Sequence, residues 1–116
     1  MAIMNLTPHE ITIRTPSGGT VVVPPSGIVA RVSTVEGPAQ PVEANGEEIP
    51  VVTRAFGAVE NLPAPSEGTA YLVSSLVLSA LEGSGRRDVY APDTGPTALR
   101  DEQGRIVAVT RLVGLG

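Results

Sequence analysis

Val42-Glu43-Ala44-Asn45-Gly46-Glu47-Glu48-Ile49-Pro50-Val51-Val52-Thr53-Arg54 holds the strongest turn signal in the chain. An Asn-Gly pair between extended runs accepts the positive φ angles of a two-residue hairpin turn. Residues 42–44 and 48–54 are therefore expected to pair across Asn45-Gly46. Pro50 has no N–H to give to a ladder, which puts the start of the second strand at an edge. Phe56-Gly57-Ala58-Val59 continues that strand after a bulge at Gly57.

Upstream, residues 36–41 are rich in Pro and Gly and read as a loop or a strand crossing. Three further runs precede them. Residues 10–14 alternate, with Ile11 and Ile13 on one face; residues 20–23 are β-branched throughout; residues 28–34 alternate again. Turn segments 16–19 and 24–27 separate them, which predicts a three-stranded antiparallel meander.

Downstream, residues 62–68 read as loop and residues 69–73 as a strand. Ser74 is placed to cap a helix over residues 75–82, and Gly83-Ser84-Gly85 stops it. A strand over 87–91, a rigid loop over 92–96 and a hairpin pairing 98–100 with 105–113 complete the chain, with residues 114–116 frayed. The expected fold is mainly β, a β-rich α+β domain over residues 1–116. Its antiparallel sheet of short strands carries one short packed helix.

Composition bounds the rest. The chain has 116 residues and a mass of 11.9 kDa, enough for one domain. It is 41% hydrophobic and only 17% charged, which excludes a disordered chain. With one Phe, two Tyr and no Trp, the core must be aliphatic. The absence of Cys excludes disulfides, thiolate metal sites and a Cys nucleophile. No apolar run reaches the length of a membrane span, so no membrane partner is expected. Met1-Ala2-Ile3-Met4-Asn5 has no basic or apolar leader pattern, so the cytoplasm is the expected location. A net charge of −4 argues against duplex nucleic acid, which needs a basic face.

All eight basic residues are Arg. A GC-rich genome explains this, and so does a need for guanidinium forks that match phosphate bidentately. Arg31, Arg54 and Arg111 sit within apolar strands, where they face solvent, pair with a carboxylate or line a pocket. Asp93 caps a turn or accepts hydrogen bonds from a ligand. Phe56, Tyr71 and Tyr90 are the rings that could stack on a base. Arg86 and Arg87 follow the helix, where a cation suits its C-terminal end. His9 is the lone histidine and reads first as a turn-fixing residue. No Lys, nucleophile elbow or Gly-rich phosphate loop is present, so catalysis is poorly supported and no cofactor is expected.

Asn5-Leu6-Thr7-Pro8-His9, residues 49–54, Tyr71-Leu72-Val73-Ser74, Arg87-Asp88-Val89 and residues 100–105 together resemble a family of small phage, prophage and actinobacterial proteins. The size, β-rich build and isolated Arg residues also look like the first type of anti-Thoeris sponge. Those phage anti-defence proteins bind cyclic ADP-ribose isomers, and in some members cyclic oligonucleotides, without cleaving them. The resemblance implies that Arg31, Arg54 and Arg111 hold phosphate, from two protomers. It implies that Phe56 or Tyr90 stacks on the base and that Asp93 meets a polar edge. The first expectation is thus non-enzymatic sequestration of a small anionic, nucleotide-derived signal by a homo-oligomer. The alternative is a phage-derived structural or protein-interaction β module without a small ligand. The third is a small hydrolase or lyase using His9.

Overall fold

A computed structural model describes residues 2–115. The elements in chain order begin with β1 (Ala2–Asn5), β2 (Ile11–Arg14), β3 (Thr20–Val23) and β4 (Arg31–Pro38). Next come β5 (Val42–Ala44), β6 (Glu47–Ile49), β7 (Val52–Glu60) and β8 (Thr69–Leu72). The chain then forms α1 (Ser75–Ala80), β9 (Val89–Pro92), β10 (Leu99–Arg100), β11 (Ile106–Ala108) and β12 (Leu112–Gly114). The protein is mainly β with one short helix, as the sequence predicts.

The central sheet has the order β1-β8-β9-β12 and is mixed. β8 lies parallel to both β1 and β9, whereas β12 runs antiparallel to β9. The β8–α1–β9 passage is the crossover that a parallel pair requires. Both faces of β8 are covered. Tyr71 and Val73 pack with Val77, Leu78, Leu81, Val89 and Ala91 on the helix side. Leu72 packs on the other side with Ile11, Val23 and Val109. Double burial explains why this strand reads as a continuous apolar run rather than an alternating one. Ser74 caps α1, its hydroxyl accepting from the Val77 N–H at 3.2 Å.

β2 and β3 form the expected hairpin, but the meander ends there. β4 leaves β3 and pairs with β7 instead. The intervening segment is tied to the end of β1: Ser26 N–H donates to the Asn5 carbonyl and Ala30 N–H to the Leu6 carbonyl. Residues 36–38, expected in a loop, lie within β4. β1 and the parallel pairings were not foreseen. At the C-terminus, Gly114 is paired in β12 and Leu115 packs against the core, so the fraying expected for those two does not occur. Gly116, the third residue of that expectation, lies outside the described residues.

Residues 31–60 form one long two-stranded ribbon. Pairing runs from Arg31↔Glu60 to Ala44↔Glu47, with an Ala39 N–H to Val51 carbonyl bond linking its two parts. At the tip Asn45 and Gly46 have φ of 52° and 78°, as the hairpin signal requires. The register shifts between Val32 and Thr34, opposite Gly57. A Cβ on Gly57 would meet Ser33 Oγ at 2.6 Å, which is why glycine stands at the bulge. The ribbon gives the molecule extents of 58 × 39 × 26 Å.

Candidate functional site

The Asn5-to-His9 start builds structure. Asn5 is buried, and its Nδ2 donates to the His9 carbonyl at 2.8 Å and the Val23 carbonyl at 3.0 Å. Its Oδ1 accepts from Thr7 N–H at 2.9 Å and lies 2.7 Å from Thr7 Oγ1. All four hydrogen-bonding positions of the amide are thereby used. They join the end of β1, the start of β2 and the end of β3. His9 contributes its carbonyl to this knot, not the imidazole, and its side chain is exposed. It borders a shallow apolar groove of about 320 Å3 lined also by Ile11, Pro92, Ile106 and Val109.

Arg86 is likewise structural, though not as a helix cap. Its Nε and Nη2 donate to Asp88 at 2.9 and 3.0 Å, and Nη2 also reaches the Pro63 carbonyl at 3.1 Å. The guanidinium carbon lies 6.0 Å from the Tyr71 ring centre. This pins the loop before β8 to the turn before β9. Hydrogen bonding to Arg86 holds the Asp88 carboxyl below its ordinary pKa, and burial opposes the shift.

A cleft lies between the ribbon and α1. Its outer part, about 450 Å3, is lined by Thr34, Glu36, Arg54, Ala55, Phe56 and Leu76. Its inner part, about 420 Å3, is bounded by Arg31, Val32 and Glu60 on the ribbon and by Ser74, Leu76 and Val77 on the helix. Leu76 belongs to both parts, so they adjoin. Glu36 opposes Arg54 and Thr34 opposes Phe56 across the ladder, and opposed residues share a face. Arg54 Nε donates to Glu36 Oε2 at 2.7 Å, with both side chains more than half exposed. Surface ion pairs of this kind contribute about 0–1 kcal/mol. An incoming bidentate anion can therefore displace Glu36 at little cost.

Of the sequence-derived candidates, Arg31, Arg54 and Phe56 meet at this cleft. Asp93, Arg111 and Tyr90 do not line it. Arg111 Nε donates to Asp93 Oδ2 at 2.6 Å, and Asp93 Oδ1 accepts from the Gly95 N–H at 2.9 Å. The Arg111 bond, followed by that backbone N–H, lowers the Asp93 pKa. Tyr90 packs against the Leu72 side of the sheet and donates its hydroxyl to the Arg87 carbonyl at 3.1 Å. Leu76, Glu36 and Glu60 are site residues that the sequence reading missed. The helical position of Leu76, exposed beside buried Val77 and Leu78, was the available signal for it.

Among the described residues no cluster of three or more His, Cys, Asp or Glu could hold a metal ion. No described helix is long and apolar enough to cross a membrane. No protein-family model, curated protein or solved structure matches the chain.

Proposed function

We propose that this is a non-enzymatic, phage-type binding protein that sequesters a small anionic, nucleotide-derived ligand in the ribbon–helix cleft. The observation that supports it is the shared face of Arg54 and Phe56 beside Leu76, with Arg31 at the inner end. A guanidinium fork takes phosphate, and a ring two residues along the same strand offers a base its face. Asp93, Arg111 and Tyr90 lie outside this cleft; the sponge resemblance implies phosphate-holding Arg residues from two protomers, so in this reading Arg111 contributes from a second protomer.

The test is thermal unfolding against cyclic dinucleotides, cyclic trinucleotides and cyclic ADP-ribose isomers. At about 100 times its Kd a ligand adds about 2.7 kcal/mol, which raises Tm by several degrees for a chain of this size. Arg54→Ala is expected to remove the shift while leaving the unliganded Tm within about two degrees, since its ion pair is a surface one. Recovery of the compound intact after heating separates sequestration from turnover. A flat response across the panel overturns the reading.

The ribbon itself favours a second reading, a protein-interaction module without a small ligand. A thirty-residue arm exposed along most of both faces has a surface suited to a macromolecule. A photo-crosslinker placed at Val35 distinguishes the two in the infected host. Efficient capture of one defined host or phage protein, with no ligand-induced Tm shift, selects the second reading.

A further inference from the structure

We infer that the outer face of the ribbon is covered by the same face of a second copy of this chain, packed antiparallel. The inference is independent of any ligand. A compact monomer of 11.9 kDa exposes about 6,000 Å2. This chain exposes 7794 Å2. The excess of roughly 1,800 Å2 exceeds the ~800 Å2 that each partner of a stable dimer typically buries. The radius of gyration, 17.9 Å, tells the same story. A compact chain of this length has about 13 Å.

The outer face is apolar. Thr34, Glu36, Arg54 and Phe56 share the cleft side, so alternation turns the side chain of Val35, which opposes Ala55 in the ladder, to the other. Counting on by twos from Ala55 through Val51 reaches Ile49, which opposes Val42. Val35 is 60% exposed, Val42 53% and Ile49 46%. An isolated two-stranded ribbon is marginal in water, and its edges lie open. Two such ribbons stacked face to face make a four-stranded sandwich about 10 Å thick.

Charge sets the direction in which the second copy packs. Residues 31–60 carry two Arg and five Glu, hence −3 of the chain's net −4. Glu43, Glu47 and Glu48 crowd the tip, and Glu43 opposes Glu48 across the ladder. A parallel stack would superpose two acidic tips. The antiparallel stack lays each tip over the partner's ribbon base, clear of the partner's own Glu43, Glu47 and Glu48. It also sets the Val35–Ala55 step over the partner's Val42–Ile49 step.

Because the chain has no Cys, disulfide trapping gives a clean readout. Sedimentation of the full chain at micromolar concentration should give twice the chain mass. Val35→Glu should give the single mass with unchanged far-ultraviolet circular dichroism. Under mild oxidation the double variant Val35→Cys/Val42→Cys should form a covalent dimer, and each single variant should not. A wild-type monomer at 100 μM overturns the inference and leaves the face to another protein. Covalent dimers from the single variants overturn the antiparallel arrangement. A dimer that survives Val35→Glu moves the interface elsewhere. Ligand-induced Tm shifts that persist in monomeric Val35→Glu would overturn the second-protomer contribution proposed for the cleft and leave this interface standing, so the two proposals fail separately.

Discussion

Asn5 carries more structure than any other polar side chain in the molecule. Its amide bonds to the turn at residues 7–9 and to the end of β3 and is almost fully buried. Asn5→Ala would strand the Thr7 N–H and take the Asn5 donor from the Val23 carbonyl, whereas the His9 carbonyl keeps the Thr7 hydroxyl. Each buried unsatisfied group costs about 1–3 kcal/mol. The expected loss is about 3 kcal/mol or more in urea unfolding, and a loss below 0.5 kcal/mol would contradict the knot. Asp88 makes a pH prediction. Its folded pKa lies below the ordinary 3.8 because Arg86 stabilises the carboxylate. The unfolded chain therefore binds the proton more tightly, so this stabilisation is full above about pH 4–5 and disappears as pH falls through the folded value. Asp88→Asn should lower stability at pH 7 and flatten the acid limb below pH 4. An acid limb as steep as that of the wild type would mean that another carboxylate dominates it.

At the scale of elements, α1 has only six residues and cannot stand alone. It is held by Val77 and Leu78 in the core and by the Ser74 cap. Ser74→Ala should cost about 1 kcal/mol, read as a lower urea midpoint at unchanged slope. This cap and the Asn45-Gly46 turn were legible because each depends on residues within one turn of chain, and the Gly57 bulge because a lone glycine inside a strand pattern marks one. The Arg54–Phe56 half of the cleft was legible for the same reason, since alternation alone puts them on one face. Leu76 as its opposite wall was not, nor was the Asp93–Arg111 pair. Those meet through contacts 18 or more residues apart, and several Arg and Asp residues offered equal local fits.

The whole molecule is a small two-faced sheet with an arm. If the arm is a rigid extension, the monomeric Val35→Glu variant should scatter X-rays with a radius of gyration near 18 Å. A value near 13 Å would mean that the ribbon folds back on the body.

The amino-acid sequence by itself determined the β-rich class, the aliphatic core, the hairpin tip and the helix with its cap. Local sterics, period-two alternation and nearby hydrogen bonds decide these. Only the tertiary structure decided that β4 pairs with β7 rather than β3, and that β1, β8 and β9 run parallel. Residues 20–23, 28–34 and 48–59 carry strand patterns that would pair equally well in either scheme. The choice is made by the Asn5 and Leu6 carbonyls, which hold Ser26 and Ala30 at the end of β1 and turn the chain out of the body before β4 begins.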